Sequence, residues 1–298
     1  MNRTALKILI LVGFMSFIER IDVMARSEPL KYNRGQIADM TYDEHAKARY
    51  VYNMGIAIAN GDIPNMSSIN KFGKNPNVSQ NQDNDIWDLG GTYEFLSAPT
   101  VLTLSSATSA DDSAGLGART IKIKTLDDAF GFASQPATMN GMSVVTLMGT
   151  HIRGYRATVE TAGANNGALA TIYIGYGTVT AGVPAHTAIA ILPEANQSLM
   201  AIMTVPSAMT GYITRWNVGF DGITGTARFG EGVLCSRKNL IRRIRRIQGL
   251  STANPPHQQN LNYPIVIGEK QDVLIMTNSV SANNLKVSGD FDMIFIEN

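Results

Sequence analysis

Residues 119–125 read Arg-Thr-Ile-Lys-Ile-Lys-Thr, an alternation of polar and apolar side chains with a period of two. This period is typical of a β-strand, because successive side chains point to opposite faces of a sheet. Twelve further segments, rich in Thr, Val and Ile and separated by Gly, Pro, Asn and Asp, also predict strands. They are 100–105, 143–148, 153–161, 168–176, 187–192, 199–205, 211–221, 227–237, 241–247, 263–267, 273–277 and 285–296. Short strands at a spacing of roughly 8–12 residues predict an all-β, antiparallel β-sandwich or jelly roll over 96–298. A division into two sub-sandwiches, 96–197 and 198–298, is the alternative.

Residues 26–95 have a different character, being polar and interrupted by residues that break regular structure. Pro64, Gly73 and Pro76 fall in this stretch, and a run rich in Asn, Gln and Asp occupies 75–85. A weakly structured segment of this length is uncommon inside a compact domain. We therefore predict an extended N-terminal arm that crosses to a neighbouring subunit or orders only on assembly.

One helix is predicted within this arm, near residues 41–55. Thr41-x-x-Glu44 forms a capping box, which marks a helix start, and apolar residues follow at helical spacing. The helix is expected to end near Gly55 or Asn60-Gly61. The arm is thus predicted to hold one or two short helices in an otherwise extended chain.

An apolar run at 6–18 lies within the first 25 residues. Arg3 and Lys7, with 23–25 as a cleavage site, follow the plan of a signal peptide, but Glu19 and Asp22 place charges where such a site is usually neutral. The run is also short for a membrane span. An apolar helix docked on a partner is the preferred interpretation, and an upstream extension, with natural translation from Met24, is the alternative.

The composition favours association and gives no sign of a nucleic-acid or membrane partner. Charged residues make up 16% of the 298 residues, against roughly 25% in typical globular proteins. A surface poor in charge is weakly protected against association, so neighbouring subunits are expected to cover part of it. The formal net charge of +1 gives no general attraction to nucleic acid or acidic lipid. Cys235, the only cysteine, is expected to be a small buried hydrophobe.

The segment 85–93, Asp-Ile-Trp-Asp-Leu-Gly-Gly-Thr-Tyr, joins the predicted arm to the strands. Trp87 and Tyr93 are candidate interface residues that could stack on a sugar. A Trp before a Gly-Gly turn more often plugs the end of a sandwich, with the glycines supplying positive φ angles. The plug is the favoured interpretation.

The segment 111–119, Asp-Asp-Ser-Ala-Gly-Leu-Gly-Ala-Arg, has the composition of a calcium or phosphate loop. No Glu closes it at the spacing of an EF-hand, and its glycines lack the strand-before, helix-after context of a nucleotide fingerprint. A wide hairpin turn between the strands at 100–105 and 119–125 is the favoured interpretation.

The one charge cluster lies at 236–247, Ser-Arg-Lys-Asn-Leu-Ile-Arg-Arg-Ile-Arg-Arg-Ile. On a strand neither face would be cleanly apolar, whereas on a helix the three isoleucines would share a side. Arginine suits pairing with carboxylates of a partner subunit or with phosphate. Missing aromatics and the near-zero net charge weigh against nucleic acid. The interface candidates here are Arg237, Arg242, Arg243, Arg245 and Arg246.

No catalytic, cofactor or metal site is predicted. The four histidines, His45, His151, His186 and His257, are scattered without metal-ligand spacing. There is no Gly-x-Ser-x-Gly elbow, and no Cys/His pairing can be argued. The chain is therefore predicted not to be an enzyme.

Several ordered segments resemble a family of tailed-phage virion proteins, found mostly in environmental and marine phages, over roughly residues 60–298. The segments that carry the resemblance are 69–76, 85–93, 105–106, 112, 115–120, 139–141, 166–167, 170–172, 197–201, 205–206, 211–216 and 288–292. The resemblance implies a structural role in the virion, and it carries over no activity and no binding residues.

The expected function is that of a capsid decoration or cement protein, located in the virion after assembly in the host cytoplasm. Its expected partners are itself, as a homo-oligomer with a trimer favoured, and other virion proteins such as the major capsid protein. A tail-associated fibre or collar subunit is the structural alternative. A carbohydrate-binding module using Trp87 or Trp216 is the alternative of another class.

Overall fold

The computed structural model describes residues 41–43, 48–50, 54–80, 82–220, 227–239, 241–252 and 259–298. The chain divides into two compact units, Met1–Asn65 and Met66–Asn298. The apolar run predicted within residues 1–25 lies outside the described residues.

In the smaller unit, the helix predicted near 41–55 is wrong in its position. Two short strands, β1 (Thr41–Asp43) and β2 (Ala48–Tyr50), pair antiparallel there, and the helix α1 occupies Met54–Asn60. A capping box is a local signal, and cross-strand pairing of residues with high β-propensity can override it. The helix ends at Asn60-Gly61, the second of the two predicted ends: Gly61 has a φ of 78° and its N–H donates to the Ile58 carbonyl.

The larger unit consists of antiparallel strands, which confirms the predicted all-β class. All thirteen predicted strands overlap strands of the structure. In chain order the strands are β3 (Met66–Val78), β4 (Asn84–Asp85), β5 (Thr103–Ser106), β6 (Ala118–Asp127), β7 (Phe132–Thr138), β8 (Val145–Thr146), β9 (His151–Ala162), β10 (Ile172–Thr180), β11 (Val183–Ile191), β12 (Ile202–Thr204), β13 (Met209–Phe220), β14 (Phe229–Lys238), β15 (Ile241–Ser251), β16 (Gln259–Ile267), β17 (Asp272–Asn278) and β18 (Leu285–Glu297).

These strands form four sheets of the larger unit, so the hydrogen-bonded pairing is not that of two sheets in one sandwich. The sheet orders are β11-β10-β5-β8, β7-β6-β9, β16-β13-β18-β3 and β12-β17-β14-β15, with β4 also paired to β17. The strands from β5 to β11 build the first two sheets, and the remaining strands build the other two. The sheets are arranged as a propeller-like ring of four.

The predicted arm boundary at residue 95 is wrong for residues 66–95. Strand β3 pairs with β18 along its length, from Met66 opposite Ile296 to Val78 opposite Leu285. The glycine that suggested a break allows a close approach instead, because a Cβ at Gly73 would lie 2.3 Å from the Ala201 backbone nitrogen. Any arm is therefore limited to the unit that ends at Asn65.

Neighbouring sheets of the ring touch through small residues. A Cβ at Gly154 in β9 would lie 2.5 Å from Ile189 in β11. A Cβ at Gly232 in β14 would lie 2.2 Å from Val218 in β13. The buried apolar side chains from all four sheets belong to one continuous core.

Candidate functional site

Trp87 and Tyr93 lie inside the larger unit and not on its surface. Their side chains meet edge to face with ring centroids 5.1 Å apart. The Trp87 Nε1–H donates to the Gly90 carbonyl at 2.7 Å, and the Tyr93 hydroxyl donates to the Ala188 carbonyl at 2.9 Å. Gly90 and Gly91 have φ angles of 69° and 64°. This geometry is that of the plug, and it leaves neither ring exposed to stack on a sugar.

The arginine cluster at 236–247 divides into inward and outward residues, which its sequence could not show. Arg237, at the end of β14, points inward: its Nε donates to Asp272 Oδ2 at 3.0 Å, and its guanidinium lies 3.7 Å from the centroid of the Phe95 ring. Arg242 contacts Asp83 at 3.0 Å and Asp85 at 3.4 Å. Both arginines are therefore bound by carboxylates of the same chain.

Asp272 is the centre of a buried charge network that sequence analysis missed. Its carboxylate accepts hydrogen bonds from Arg153 Nε at 2.9 Å, from Thr204 Oγ1 at 2.7 Å and from Arg237. Arg153 also donates to the Leu96 and Ile152 carbonyls. One carboxylate thus binds side chains from β9, β12 and β14. The network is a structural junction.

The outward part of the cluster forms an exposed surface on β15, which ends the order of its sheet. Ile241, Ile244 and Ile247 are 61%, 59% and 53% exposed. Arg243 and Arg246 between them are also exposed, and neither makes an ion pair within the described part of the chain. We call these five residues the β15 surface. Arg245, by contrast, is half-buried and donates to the Ser236 hydroxyl at 2.7 Å.

A pocket of about 320 Å³ lies where β6, β7 and β9 meet β3 and β18. We call it the cationic pocket, because its lining includes Lys124 and Arg156 but no Asp or Glu. Phe132, Tyr155 and Phe295 supply aromatic surface, with the Phe132 ring centroid 5.8 Å from that of each of the other two. The rest of the lining is Ser67, Ser68, Ile69 and Asn70.

Lys71, which contacts the pocket residue Tyr155, and Asp88 are both buried and have shifted pKa values. The Lys71 Nζ donates to the Tyr155 carbonyl, and burial lowers the pKa of this ammonium well below its ordinary value. Burial raises the pKa of Asp88 from 3.8 to about 7, although the Leu199 N–H donates to its Oδ2 at 2.6 Å. Asp88 Oδ1 has no hydrogen-bond partner among the described residues.

We expect the contribution of Asp88 to stability to fall as the pH rises from about 4 to about 7. In this window the unfolded chain releases the Asp88 proton while the folded chain retains it, so the unfolded state is favoured. Lys71 contributes with the opposite sign, since its lowered pKa costs stability as the pH falls below its ordinary value. Urea unfolding at pH 5 and pH 8 measures the effect. D88N should raise the free energy of unfolding at pH 8 relative to that at pH 5, compared with the parent chain, by on the order of 1–3 kcal/mol, since one pKa unit corresponds to about 1.4 kcal/mol.

The control for this prediction is D83N, because Asp83 is an exposed carboxylate of the same region. It should retain the difference between pH 5 and pH 8. Equal pH dependence in the parent chain and D88N would contradict the assignment to Asp88.

The segment 111–119 is not the hairpin turn predicted, because β5 and β6 belong to different sheets. Asp111 is buried, and its carboxylate accepts four hydrogen bonds from protein groups. No group of three or more His, Cys, Asp or Glu side chains that could hold a metal occurs in the described part of the chain. The Asp111 carboxylate therefore binds groups of the protein itself, and the loop folds around it.

The other polar candidates have structural contacts in the fold. Cys235 is buried as predicted, and burial raises the pKa of its thiol to about 11. His151 Nδ1 lies 3.0 Å from Thr125 Oγ1, and His186 pairs with Glu94 at 2.8 Å. His45 and His257 fall outside the described residues. Among the described residues, no helix is long and apolar enough to cross a membrane.

No protein-family model matches the chain, and no curated protein matches it.

Proposed function

We propose that the chain is a non-enzymatic structural component of a tailed-phage virion, acting as a capsid decoration or cement protein. The observation that carries this proposal is the β15 surface, a group of exposed apolar and cationic side chains on an edge strand. The sequence resemblance to virion proteins and the low charge content support the same role. A fibre or collar subunit of the tail is the alternative form of this structural role. The particle experiment distinguishes a position on the tail from one on the capsid.

An edge strand of this kind is an attachment site by its chemistry. A strand at the edge of a sheet presents unpaired N–H and C=O groups that a segment of another chain can extend. Ile241, Ile244 and Ile247 expose apolar area that is costly in water. Arg243 and Arg246 would meet carboxylates of the partner. We propose as occupant an extended, acidic segment of another virion protein such as the major capsid protein, by complementarity of charge.

The architecture supports a rigid scaffold for such contacts. We propose that the four sheets form two halves of a divided β-sandwich, one built from β5 to β11 and the other from the remaining strands of the larger unit. The close contacts of Gly154 with Ile189 and of Gly232 with Val218 support this proposal, because each joins two sheets of one proposed half. We further propose that the chain associates with itself as a trimer.

A carbohydrate-binding module fits the structure less well. Such a module needs exposed aromatic faces, and Trp87 and Trp216 are both buried. Tyr263, 87% exposed on β16, is the most exposed tyrosine of the described residues. Saturable binding of neutral oligosaccharides by the full chain would support this module against the virion role.

The first experiment is to place the chain in the particle. Mass spectrometry of purified particles should detect it, and light scattering of the recombinant full chain should give three times the protomer mass. A cryo-EM map should then show it on the shell lattice. Density at one vertex would assign it to the tail, and absence from particles would contradict the virion role altogether.

The second experiment tests the β15 surface. Particles that lack the chain are incubated with the recombinant full chain, and bound chain is quantified. R243E/R246E should reduce binding at least about tenfold, because each reversed charge would repel the proposed acidic segment. The control K122E/K286E makes the same change of charge on β6 and β18. If R243E/R246E binds at the parent level, the β15 surface is not the attachment site, whatever the outcome of the first experiment.

A further inference from the structure

We propose that the cationic pocket binds a small anion, a carboxylate or phosphate group attached to a flat apolar group such as an aromatic ring. This inference concerns a different part of the molecule from the β15 surface and is independent of the virion role.

The cationic part of the pocket is a like-charge pair. Lys124 in β6 and Arg156 in β9 are direct cross-strand partners, so their side chains leave the sheet on the same face. Like charges directly opposite each other destabilise a sheet. Neither residue makes an ion pair within the described part of the chain. A bound anion would remove this repulsion, which gives it a source of binding free energy.

The same two strands show how a cation is neutralised elsewhere. Lys122, two residues before Lys124 on β6, lies 3.6 Å from Glu160 on β9. Asp292, the acidic residue next to the pocket, is not available to pair with Lys124 as Glu160 pairs with Lys122. Asp292 accepts hydrogen bonds from Asn70 at 2.6 Å and from Arg215 at 2.7 Å, and this contact with Arg215 is an ion pair. The uncompensated charge is therefore localised at the pocket.

Arg156 is positioned for a ligand by the protein. One of its guanidinium nitrogens donates to the Asn70 carbonyl, and the guanidinium lies 5.4 Å from the centroid of the Phe72 ring. A guanidinium carries five N–H donors in a rigid fork, so donors remain for a bidentate contact with a carboxylate or phosphate. Partial burial lowers the pKa of this group, as expected for a cation without a carboxylate partner.

A β-bulge brings two consecutive residues to the pocket. The register between β6 and β9 shifts between Lys124 and Thr125, where Gly154 and Arg156 pair but Tyr155 does not. In a regular strand, Tyr155 and Arg156 would point to opposite faces. The bulge lets both line the same cavity, and bulges often direct side chains in this way at binding sites.

The apolar part of the pocket limits the ligand to a compact group. Phe132 is 44% exposed although it contacts Tyr155 and Phe295 edge to face. A ring of the ligand can cover this exposed aromatic surface. Ser67 and Ser68 also line the pocket, and a serine hydroxyl can donate to an anion. A volume of about 320 Å³ is at the lower end of small-molecule sites, which range over roughly 300–1,000 Å³.

The test uses the full chain and four probes in isothermal titration calorimetry: phenyl phosphate, benzoate, inorganic phosphate and benzyl alcohol. Phenyl phosphate and benzoate should bind saturably at one site, inorganic phosphate at least fivefold more weakly than phenyl phosphate, and benzyl alcohol not measurably. K124M should weaken phenyl phosphate binding at least tenfold. K122M, the same change on the same strand outside the pocket, should leave the affinity within twofold.

Thermal unfolding of each variant, with and without ligand, distinguishes a loss of binding from a loss of folding. Without ligand, K124M should unfold at a higher temperature than the parent chain, because the like-charge pair is gone. Phenyl phosphate should raise the unfolding temperature of the parent chain and of K122M but not of K124M. The proposal is overturned if neither aromatic anion binds, or if K122M weakens binding as much as K124M. Equal affinity for inorganic phosphate and phenyl phosphate would overturn the claim that an aromatic group of the ligand contributes to binding.

Discussion

Replacing Asp272 with alanine is expected to lower the free energy of unfolding by about 3–5 kcal/mol, the usual cost of removing one partner from a buried ion pair. The Asp272 side chain is 4% exposed, and those of Arg153 and Arg237 are 10% and 16% exposed. The variant leaves both guanidinium groups without their carboxylate in a largely desolvated place. It also removes the acceptor of the Thr204 hydroxyl.

The matched control is D83A. Asp83 pairs with Arg242 at 3.0 Å, so D83A also removes a carboxylate from an ion pair with arginine. The Asp83 side chain, however, is 54% exposed. Such a surface pair contributes about 0–1 kcal/mol. Urea denaturation of the full chain, with both variants measured at one pH, gives the comparison. A cost for D272A no larger than that for D83A would show that solvent screens the Asp272 network.

The larger part of the fold could be predicted from the sequence because strand periodicity is a local property. The segment 119–125 falls inside β6, with Ile121 and Ile123 fully buried and Lys122 exposed, as its alternation predicts. The antiparallel all-β class followed from the repetition of such segments. The pairing of strands into four sheets did not follow, because it depends on contacts between residues distant in sequence.

Strand β3 shows why residues that usually break structure were misleading. Its Lys71, Gly73 and Asn75 are buried, which is the opposite of what polar and breaker residues suggest. Gly73 allows the backbone at Ala201 to approach, and the Asn75 side chain donates to the Asp85 carbonyl at 2.9 Å. These residues are adapted to close backbone packing, and this adaptation is visible only when the partner strand is known.

The candidate sites could be predicted only in part, because their geometry also depends on which strands pair and in which register. The arginine cluster was visible in the sequence, but its division depends on register: Arg237 reaches Asp272, while Arg243 points outward. The cationic pocket could not be predicted, because its lining comes from five strands spread along the larger unit. The pairing of Lys124 with Arg156 likewise follows from a register that contains bulges.

The second large effect on stability is expected for substitution of Asp111. This residue lies in the loop 111–119, which has the composition of a calcium or phosphate loop. The Asp111 Oδ1 accepts the Ala118 N–H at 2.8 Å and the Leu169 N–H at 3.0 Å. Its Oδ2 accepts the Ser106 hydroxyl at 2.7 Å and the Ala170 N–H at 3.3 Å. One carboxylate therefore fixes three separate segments of the chain.

We expect D111A to lower the free energy of unfolding by at least about 3 kcal/mol, because it leaves several donors unsatisfied at about 1–3 kcal/mol for each buried one. D111N should fall between D111A and the parent chain, since an amide keeps the shape but replaces one acceptor with a donor. The control is D112A, because among the described residues the Asp112 carboxylate accepts only the local Ala114 N–H and Ser113 hydroxyl. Urea denaturation measures all three variants. A D111A cost equal to that of D112A would contradict this prediction, because it would mean that water satisfies the donors that the Asp111 carboxylate binds.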